Sequence, residues 1–334
     1  MTRRNIGTQY LVDMSYLAWL VYIPLQILWL PFSILGALWV AYKQIARSKS
    51  LGLSQTAVEI VNGRWTGHVF GLRSDAASYR LAGQLPNNSV LGLWITLFPL
   101  LVTKTIAGRP ILYPQLPEDE VSGIANMVFS RSRRFDNLIE RYADTAEQLV
   151  VLGAGLDTRA YGPLVDRSLT MFELDKQTTQ LAKRRAVERA NLKHDHVHYI
   201  EIDFTAPSWI DTLVASPYEP AKTTIFLWEG VTLYLSEANV RATMAAIQAH
   251  SAEGSVVVLD FYGQRMLDIA RKGVMAKSLE ATDETMDFGF DFSQAPEDVL
   301  SAFVASAGYK LGPHFFLGSS HKAGAYMVVA ALEL

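Results

Sequence analysis

The chain has 334 residues, of which 50% are hydrophobic, and a formal net charge of −3 at pH 7. This length suggests two structural units, and the weak net charge provides no general electrostatic footprint for nucleic acid. The absence of cysteine excludes disulfides, zinc–thiolate sites and cysteine nucleophiles, and it is compatible with the cytosol.

A long apolar run lies near the beginning of the chain. No charged side chain occurs between Tyr16 and Tyr42, and as a helix this run would measure about 40 Å, more than the ~30 Å hydrocarbon core of a bilayer. Aromatic side chains stand at both ends, as they do at the two headgroup levels of a membrane: Tyr16, Trp19, Tyr22, Trp39 and Tyr42. A cleavable signal peptide fits badly, because the run lacks a small-residue cleavage site. We predict that residues 1–50 form a hydrophobic membrane anchor that contacts lipid.

The sequence is compatible with three arrangements of this anchor. It could form one transmembrane helix, a re-entrant or interfacial hairpin, or a helix buried against the protein. Pro24 and Pro31 lie near its middle and could break it into a hairpin. Basic residues flank both ends in nearly equal number and only slightly favour a cytosolic side for the rest of the chain.

A second apolar stretch, Val90 to Val102, contains Pro99 and is predicted to be too short to span a membrane. It fits either a core or cap helix, or a segment that dips into the interface or walls a passage for a lipophilic acceptor. Residues 51–145 as a whole are predicted to form a mainly helical cap.

The most informative segment runs from Gln148 to Arg159, where a buried apolar strand is followed by Gly-Ala-Gly-Leu-Asp-Thr-Arg. Gly153 permits a tight bend, and Gly155 removes the side chain that would keep a ligand from the backbone. We predict a turn that opens a helix and holds a nucleotide.

Two kinds of nucleotide compete for such a turn. An NAD-type site places Gly or Ala where this chain has Thr158, and Asp157 would repel a pyrophosphate at the helix start. S-adenosylmethionine has no phosphate and carries a sulfonium and an ammonium, so acids around the turn favour it. A nicotinamide-dependent oxidoreductase remains the alternative.

Strand-like and helix-like runs alternate through the second half of the chain. Helical stretches such as 176–192 and 236–250 separate the first five strands, which predicts a doubly wound parallel sheet. The last two strands, joined by a short polar turn at Ser319–Lys322, are predicted to form an antiparallel hairpin. The predicted strands are 148–152, 169–174, 197–202, 223–228, 255–260, 312–318 and 324–332.

Acidic residues follow each of the first four predicted strands. They are Asp157, Asp175, Asp203 and Glu229, and Phe204 follows the third of these acids. Ligands of doubly wound sheets lie at the carboxyl ends of the strands, so these acids are candidates for a shared site. Each acid alone could equally be a helix N-cap or an exposed strand end.

At these residues the chain resembles the leucine carboxyl methyltransferase-like family of class I S-adenosylmethionine-dependent methyltransferases, including its actinobacterial members. The resemblance covers about residues 120–330. The motifs that carry it are Arg131–Asp136, Leu152–Arg159, Phe172–Asp175, Glu201–Phe204 and Glu229–Leu235. It implies a Rossmann-like α/β fold, S-adenosyl-L-methionine as the cofactor with S-adenosyl-L-homocysteine as its product, and transfer of a methyl group to oxygen.

The resemblance also implies roles for the residues that match these motifs. Arg131 would pair with the donor carboxylate, and its alternative is a place on a solvated basic helix face. Gly153 would line the methionine part in the turn it shares with Gly155 and Asp157. Asp175 would hold the ribose, and Asp203 and Phe204 would hold the adenine. Glu229 would hold the α-ammonium side of the donor.

Tyr234 and Tyr262 lie just beyond the fourth and fifth predicted strands, where an acceptor could approach, and they are the candidate catalytic residues. Ordinary packing is their alternative. His194, His196 and His198 alternate and would share one face of a strand. We interpret them as a partly exposed start of the third strand, and we predict no metal site.

We therefore predict a membrane-associated O-methyltransferase with its catalytic domain, residues 146–334, on the cytoplasmic side, where the donor is made. Because the hydrophobic N-terminal third departs from soluble members of the family, we expect a lipophilic small molecule with a carboxyl or hydroxyl acceptor, not a protein terminus. The alternative of another class is a membrane-tethered S-adenosylmethionine-binding protein without turnover. The sequence predicts no nucleic-acid partner and does not determine the oligomeric state.

Overall fold

A computed structural model of the chain describes residues 3–203, 209–272, 276 and 286–334, with side chains from residue 14 onward. The strands are β1 Gln148–Leu152, β2 Thr170–Asp175, β3 Val197–Glu201, β4 Thr224–Trp228, β5 Val256–Tyr262, β6 Lys310–Leu317 and β7 Met327–Glu333. The α-helices are α1 Arg3–Tyr42, α2 Ser48–Leu51, α3 Gln55–Val69, α4 Ala76–Ala82, α5 Val90–Ala107, α6 Met127–Ala143, α7 Gln177–Arg189, α8 Trp209–Val214, α9 Glu237–Ala249, α10 Gln264–Ala270 and α11 Pro296–Ser306.

The seven strands form one sheet in the order β3-β2-β1-β4-β5-β7-β6. The first five are parallel, and β7 lies antiparallel between β5 and β6. This confirms the predicted doubly wound sheet with its C-terminal antiparallel hairpin. Both strands of the hairpin begin or end somewhat differently than predicted, because the connection between them runs from 318 to 326 and is longer than the turn at Ser319–Lys322.

Both faces of the sheet are covered, which explains the continuous apolar character of its central strand. Leu149 and Val151 of β1 point into a core shared with α3, α4 and α6, while Val150 and Leu152 point into a second core shared with α9 and α11. A strand that is buried on both faces has no solvent-exposed side, so apolar and polar residues do not alternate along it.

The helix predicted directly after the glycine turn is absent, and that prediction was wrong. Between β1 and β2 the structure has a single 3₁₀ turn, Arg159–Tyr161. Gly162 and Pro163 come next, and proline both lacks a backbone N–H and disfavours helical geometry in the residue before it. A longer helix therefore cannot continue through this connection.

The apolar run near the beginning of the chain is one continuous helix. Pro24 and Pro31 lie inside α1 and do not break it into a hairpin, which was one of the three arrangements that the sequence left open. Contacts with α5 hold the helix on both sides of Pro31: the indole of Trp29 donates to the Ile95 carbonyl at 2.9 Å, and the Ser33 hydroxyl donates to the Thr96 carbonyl at 3.3 Å. Tertiary contacts thus override the local effect of the proline. A π-helical turn, Lys43–Arg47, then leads into α2.

The second apolar helix is longer than the sequence suggested. α5 extends to Ala107 and has 18 residues, because polar residues continue the helix beyond its apolar part until Gly108 ends it with a left-handed φ of +69°. The prediction that it is too short to span was wrong. Two segments, Met14–Leu51 and Val90–Ala107, are long and apolar enough to cross a membrane.

α5 lies along the surface of the sheet domain. Leu93 and Leu97 pack against the first core. The ring of Trp94 packs edge-on against the ring of Trp65 of α3, with 5.2 Å between the two ring centroids. Near the end of α5, the Lys104 ammonium donates to the Val69 carbonyl at 2.7 Å. These contacts attach α5 to the domain along its length.

α1 runs antiparallel to α5 and approaches it closely at two glycines. A Cβ on Gly92 would lie 2.7 Å from Val40 Cγ2, and one on Gly36 would lie 2.9 Å from the Gly92 carbonyl oxygen. Only glycine permits such an approach of two helix backbones. The opposite side of α1 is exposed and consists of large apolar side chains.

Candidate functional site

The glycine turn after β1 has the geometry that its sequence predicts. Gly153 and Gly155 have φ angles of +66° and +45°, in the left-handed region, and a Cβ on Gly153 would lie 2.6 Å from Val231 Cγ2. Asp175, the last residue of β2, accepts the Gly155 N–H at 2.5 Å and the Lys176 N–H at 2.7 Å. The Asp175 carboxylate therefore lies directly against the turn.

Arg131 is buried in α6 and does not lie on a solvated face. Its guanidinium reaches Glu229 Oε1 at 3.1 Å and donates to the Tyr262 hydroxyl at 2.7 Å. Glu229 comes directly after β4, so these contacts join the helix before the sheet to the carboxyl ends of two strands. The structure brings three residues predicted for the site into one cluster.

Two further arginines lie between the predicted acids. Arg64 of α3 contacts Asp157 at 2.9 Å and Glu229 at 3.0 Å. Arg159 also binds both acids and reaches Glu229 at 2.7 Å. Burial raises the pKa of Glu229, but the charges of Arg159, Arg64 and Arg131 outweigh it and lower the pKa to about 2. Burial likewise raises the pKa of Asp157, but the charges of Arg159 and Arg64 outweigh it and hold that pKa well below its ordinary value, so both acids are ionised at neutral pH.

The arginine contacts continue into the cap. Asp136, at the end of the Arg131–Asp136 motif, accepts from Arg159 Nε at 2.8 Å and from Arg73 Nε at 2.7 Å. Arg73 also pairs with Asp75, which lies in the loop before α4 and accepts a hydrogen bond from the Thr158 hydroxyl. The region before β1 is thus tied to the glycine turn by buried charges.

Asp260 of β5 is a member of this cluster that the sequence analysis did not single out. It accepts the Gly230 N–H at 2.9 Å and lies 3.7 Å from Arg131. Burial raises the pKa of Asp260 to about 7, and the nearby Arg131 charge opposes this only in part. No local pattern marks it, because it lies inside an apolar strand.

The two candidate catalytic tyrosines have different positions. Tyr262 is the last residue of β5 and not beyond it; its hydroxyl is buried between Arg131 and Asp260. Burial raises its pKa well above the ordinary value, so the phenol stays neutral. Tyr234 is half-buried in the 3₁₀ turn Thr232–Tyr234 that comes after β4.

The predicted adenine site is only partly described. Asp203 lies just after β3, and Phe204 lies outside the described residues. Of the three alternating histidines, His194 and His196 contact backbone carbonyls at 2.9 Å and 2.8 Å, and His198 stacks on Phe172. Each of the three rings therefore makes at least one local contact.

The chain matches the family model described as leucine carboxyl methyltransferase over residues 102–248. It is 31% identical over 210 residues to a protein of Streptomyces coelicolor that is named among the S-adenosyl-L-methionine-dependent methyltransferases, an alignment that covers 60% of this chain and 70% of the relative. A similarly named protein of Bacillus subtilis is 31% identical over 45% of this chain and 51% of its own length.

The chain spans about half the length of the first curated relatives that it matches. Among solved structures, an O-methyltransferase family protein from Burkholderia thailandensis is similar, with a TM-score of 0.43 and 15% sequence identity. The similarity covers 62% of this chain and 57% of that protein.

Proposed function

The chain belongs to the leucine carboxyl methyltransferase family of S-adenosylmethionine-dependent methyltransferases, and from this we propose that it transfers the methyl group of S-adenosylmethionine to an oxygen of a lipophilic small molecule at a membrane surface. The observation that supports donor binding best is the convergence of the glycine turn, Asp175, Arg131 and Glu229 at the carboxyl ends of β1, β2 and β4. Ligands of doubly wound sheets bind at this edge.

The residues present fit the chemistry of the donor. Asp175 already accepts N–H groups with its carboxylate and lies where a ribose with two hydroxyl donors would meet it. Arg131 offers a planar fork that matches a carboxylate. Asp157 and Glu229, both ionised, provide negative charge for the ammonium side, and the buried arginines beside them limit the repulsion between the two acids.

In the proposed reaction, S-adenosylmethionine supplies an electrophilic methyl group on a sulfonium. The main contribution of the chain is to align an acceptor oxygen with that methyl group and to exclude water. Tyr262, held between Arg131 and Asp260, fixes the guanidinium that would orient the donor. A carboxylate acceptor arrives ionised and requires no general base.

The proposed membrane location rests on the exposed side of α1. Many of its apolar side chains are exposed, with Leu20 and Leu28 72% and 76% exposed. Soluble proteins rarely leave so large an apolar surface uncovered. A bilayer covers it and also concentrates a lipophilic acceptor next to the catalytic domain.

Calorimetric titration of the detergent-purified chain tests the proposal. S-adenosylmethionine and S-adenosylhomocysteine should bind, while NADH should not. A labelled methyl group should also pass from S-adenosylmethionine into a membrane lipid extract. Binding of NADH without S-adenosylhomocysteine would contradict the proposal, and donor binding without any transfer into lipophilic extracts or model acids would favour a binding protein without turnover.

A further inference from the structure

Two stretches of the chain, which contain most of α1 and all of α2 and α5, are strongly basic. Residues 14–58 and 76–117 hold six basic side chains and no acidic one, in a chain whose formal net charge is −3. The remainder of the chain is therefore negative overall. A charge distribution as uneven as this one indicates a partner that carries negative charge.

Three of these basic side chains lie at the end of α1 and in the turn that follows it. They are Lys43, Arg47 and Lys49. The Lys43 ammonium donates to the Pro86 carbonyl, shortly before α5 begins, at 3.0 Å, and it lies 5.9 Å from the centre of the Trp39 ring. Arg47 and Lys49 are exposed, and neither forms an ion pair with a carboxylate of the described residues. Their charges are available to a partner outside the chain.

The opposite end of the pair formed by α1 and α5 is also basic. Arg109 comes directly after Gly108, which ends α5, and its exposed guanidinium donates to the Ser15 hydroxyl of α1 at 3.2 Å. Between the two ends, over about 40 Å of helix, neither Tyr16–Tyr42 nor Val90–Thr103 contains a charged side chain. The helix pair is thus an apolar strip with cations at each end.

Exposed aromatic rings accompany the cations at both ends of this strip. Trp39 and Tyr42 stack with their centroids 5.6 Å apart, and Tyr16 lies beside Ser15. Such rings prefer the level of lipid headgroups, and lysine and arginine reach the same level while their stems stay in apolar surroundings. A nucleic acid also offers negative charge, but it would leave the apolar strip in water. The combination of charge and apolar surface therefore favours a bilayer.

Building on the membrane location proposed above, we infer that this helix pair binds the surface of a bilayer that contains anionic phospholipid. Arg47 and Lys49 contact the headgroups at one end, and Arg109 contacts them at the other. The apolar strip supplies attachment to any bilayer, and the cations supply the preference for negative charge. The same headgroups repel the negative remainder of the chain, which stays on the aqueous side.

The test measures how the full-length chain partitions into vesicles, by flotation after the detergent has been diluted below its micelle concentration. One set of vesicles is phosphatidylcholine, and in the other one third of the lipid is phosphatidylglycerol. At low salt the chain should partition about tenfold or more in favour of the anionic set. This ratio should fall at high salt, because exposed charges are screened.

Two variants remove the proposed contacts: Arg47→Gln combined with Lys49→Gln, and Arg109→Gln alone. Each charge removed should weaken partition into the anionic vesicles about fivefold and leave partition into the neutral vesicles unchanged. Lys222→Gln combined with Lys310→Gln is the matched control, since it removes two charges near the amino ends of β4 and β6, outside both basic stretches. The control should keep the unmodified ratio. None of the substituted side chains is buried, so all thermal midpoints should stay near the unmodified value.

Equal partition of the unmodified chain into the two sets of vesicles would overturn the inference and leave the membrane location intact. An equal loss in the control with Lys222 and Lys310 replaced would also overturn it, because the preference would then follow overall charge. Failure to float with either set would contradict both the inference and the membrane location in the proposed function. Calorimetric binding of S-adenosylhomocysteine reports separately on the donor site.

Discussion

The proposed contact of Asp175 with the donor ribose can be tested most directly. Its carboxylate accepts two backbone N–H groups at the glycine turn and is largely buried. Asp175→Ala should weaken S-adenosylhomocysteine binding by about 1–3 kcal/mol, because a buried ribose loses a charged acceptor. Calorimetry measures this, with Asp166→Ala on the exposed surface as the control. Unchanged S-adenosylhomocysteine affinity in Asp175→Ala would contradict the assignment of Asp175 to the ribose.

Asp260 should make stability depend on pH. Burial raises its pKa to about 7 in the folded chain, above its ordinary value of 3.8, so the native state holds a proton that the unfolded state has lost. The stabilisation from this group is complete below about pH 4 and is lost as pH rises towards 7, at up to about 1.4 kcal/mol per pH unit.

Asp260→Asn cannot titrate and should flatten this dependence. The measurement is the thermal midpoint between pH 5 and 8.5 for both chains in the same detergent. The unmodified chain should lose stability from pH 5 to 7 relative to the variant, and the difference should level off above pH 7. Parallel curves over the whole range would show that the carboxylate is ionised throughout.

The residues that the sequence analysis missed share one property. Arg64 meets Glu229 across a separation of 165 residues, and Asp260 lies inside an apolar strand whose neighbours give no polar signal. Asp157, Asp175 and Glu229 could be predicted because each follows a recognisable strand. Partners that depend on how the cap folds onto the sheet leave no such local pattern.

At the scale of helices, Gly36 should determine how closely α1 packs against α5. Gly36→Leu would force its side chain into Thr96 and the Gly92 carbonyl, which lie 2.7 and 2.9 Å from the Cβ position. Overpacking of this kind costs about 1–3 kcal/mol. We expect a lower thermal midpoint in detergent and faster proteolysis of α1.

Ala37→Leu is the matched control, since Ala37 is the next residue along α1 and its side chain is exposed. It adds comparable volume without touching α5 and should melt like the unmodified chain. If both variants have the same thermal midpoint, the close contact at Gly36 contributes nothing to the packing of α1 against α5.

Strands could be predicted more reliably than helix ends. All seven were placed within a few residues. The five parallel strands were the easiest to predict, because buried parallel strands are continuous apolar runs of limited length. The errors at Gly153–Arg159 and at α5 arose where local signals compete. Pro163 prevents the helix after the turn, while α5 continues through polar residues beyond its apolar part and ends only at Gly108.

On the scale of the whole molecule, α1 lies on α5, and α5 lies on the sheet domain. A helix attached in this way suits a position in the plane of one leaflet, because crossing the bilayer would draw the attached domain surface into lipid. We predict that both ends of the long helical segment lie on the same side of the membrane. The chain has no cysteine, so single thiols can be introduced without background.

Met14→Cys and Ser50→Cys place exposed thiols near the two ends of this segment, and Leu28→Cys places one in its middle. In sealed inside-out vesicles, a membrane-impermeant maleimide should label both ends. Leu28→Cys should react only after detergent is added. Labelling of Ser50→Cys alone, with Met14→Cys protected until the vesicles are opened, would demonstrate a transmembrane helix instead.

The pairing of Arg64 with Glu229 also sets an order of events during synthesis. At about 5–20 residues per second, the 165 residues between them take roughly 8–33 s to make. The contact of Trp29 with Ile95 needs only 66 residues and is complete much earlier. The apolar helices therefore leave the ribosome and can meet a bilayer while the counter-charge of Arg64 does not yet exist. In the membrane attachment proposed above, lipid contact would come first in the life of each molecule, and the donor site would be assembled beside a membrane that is already bound.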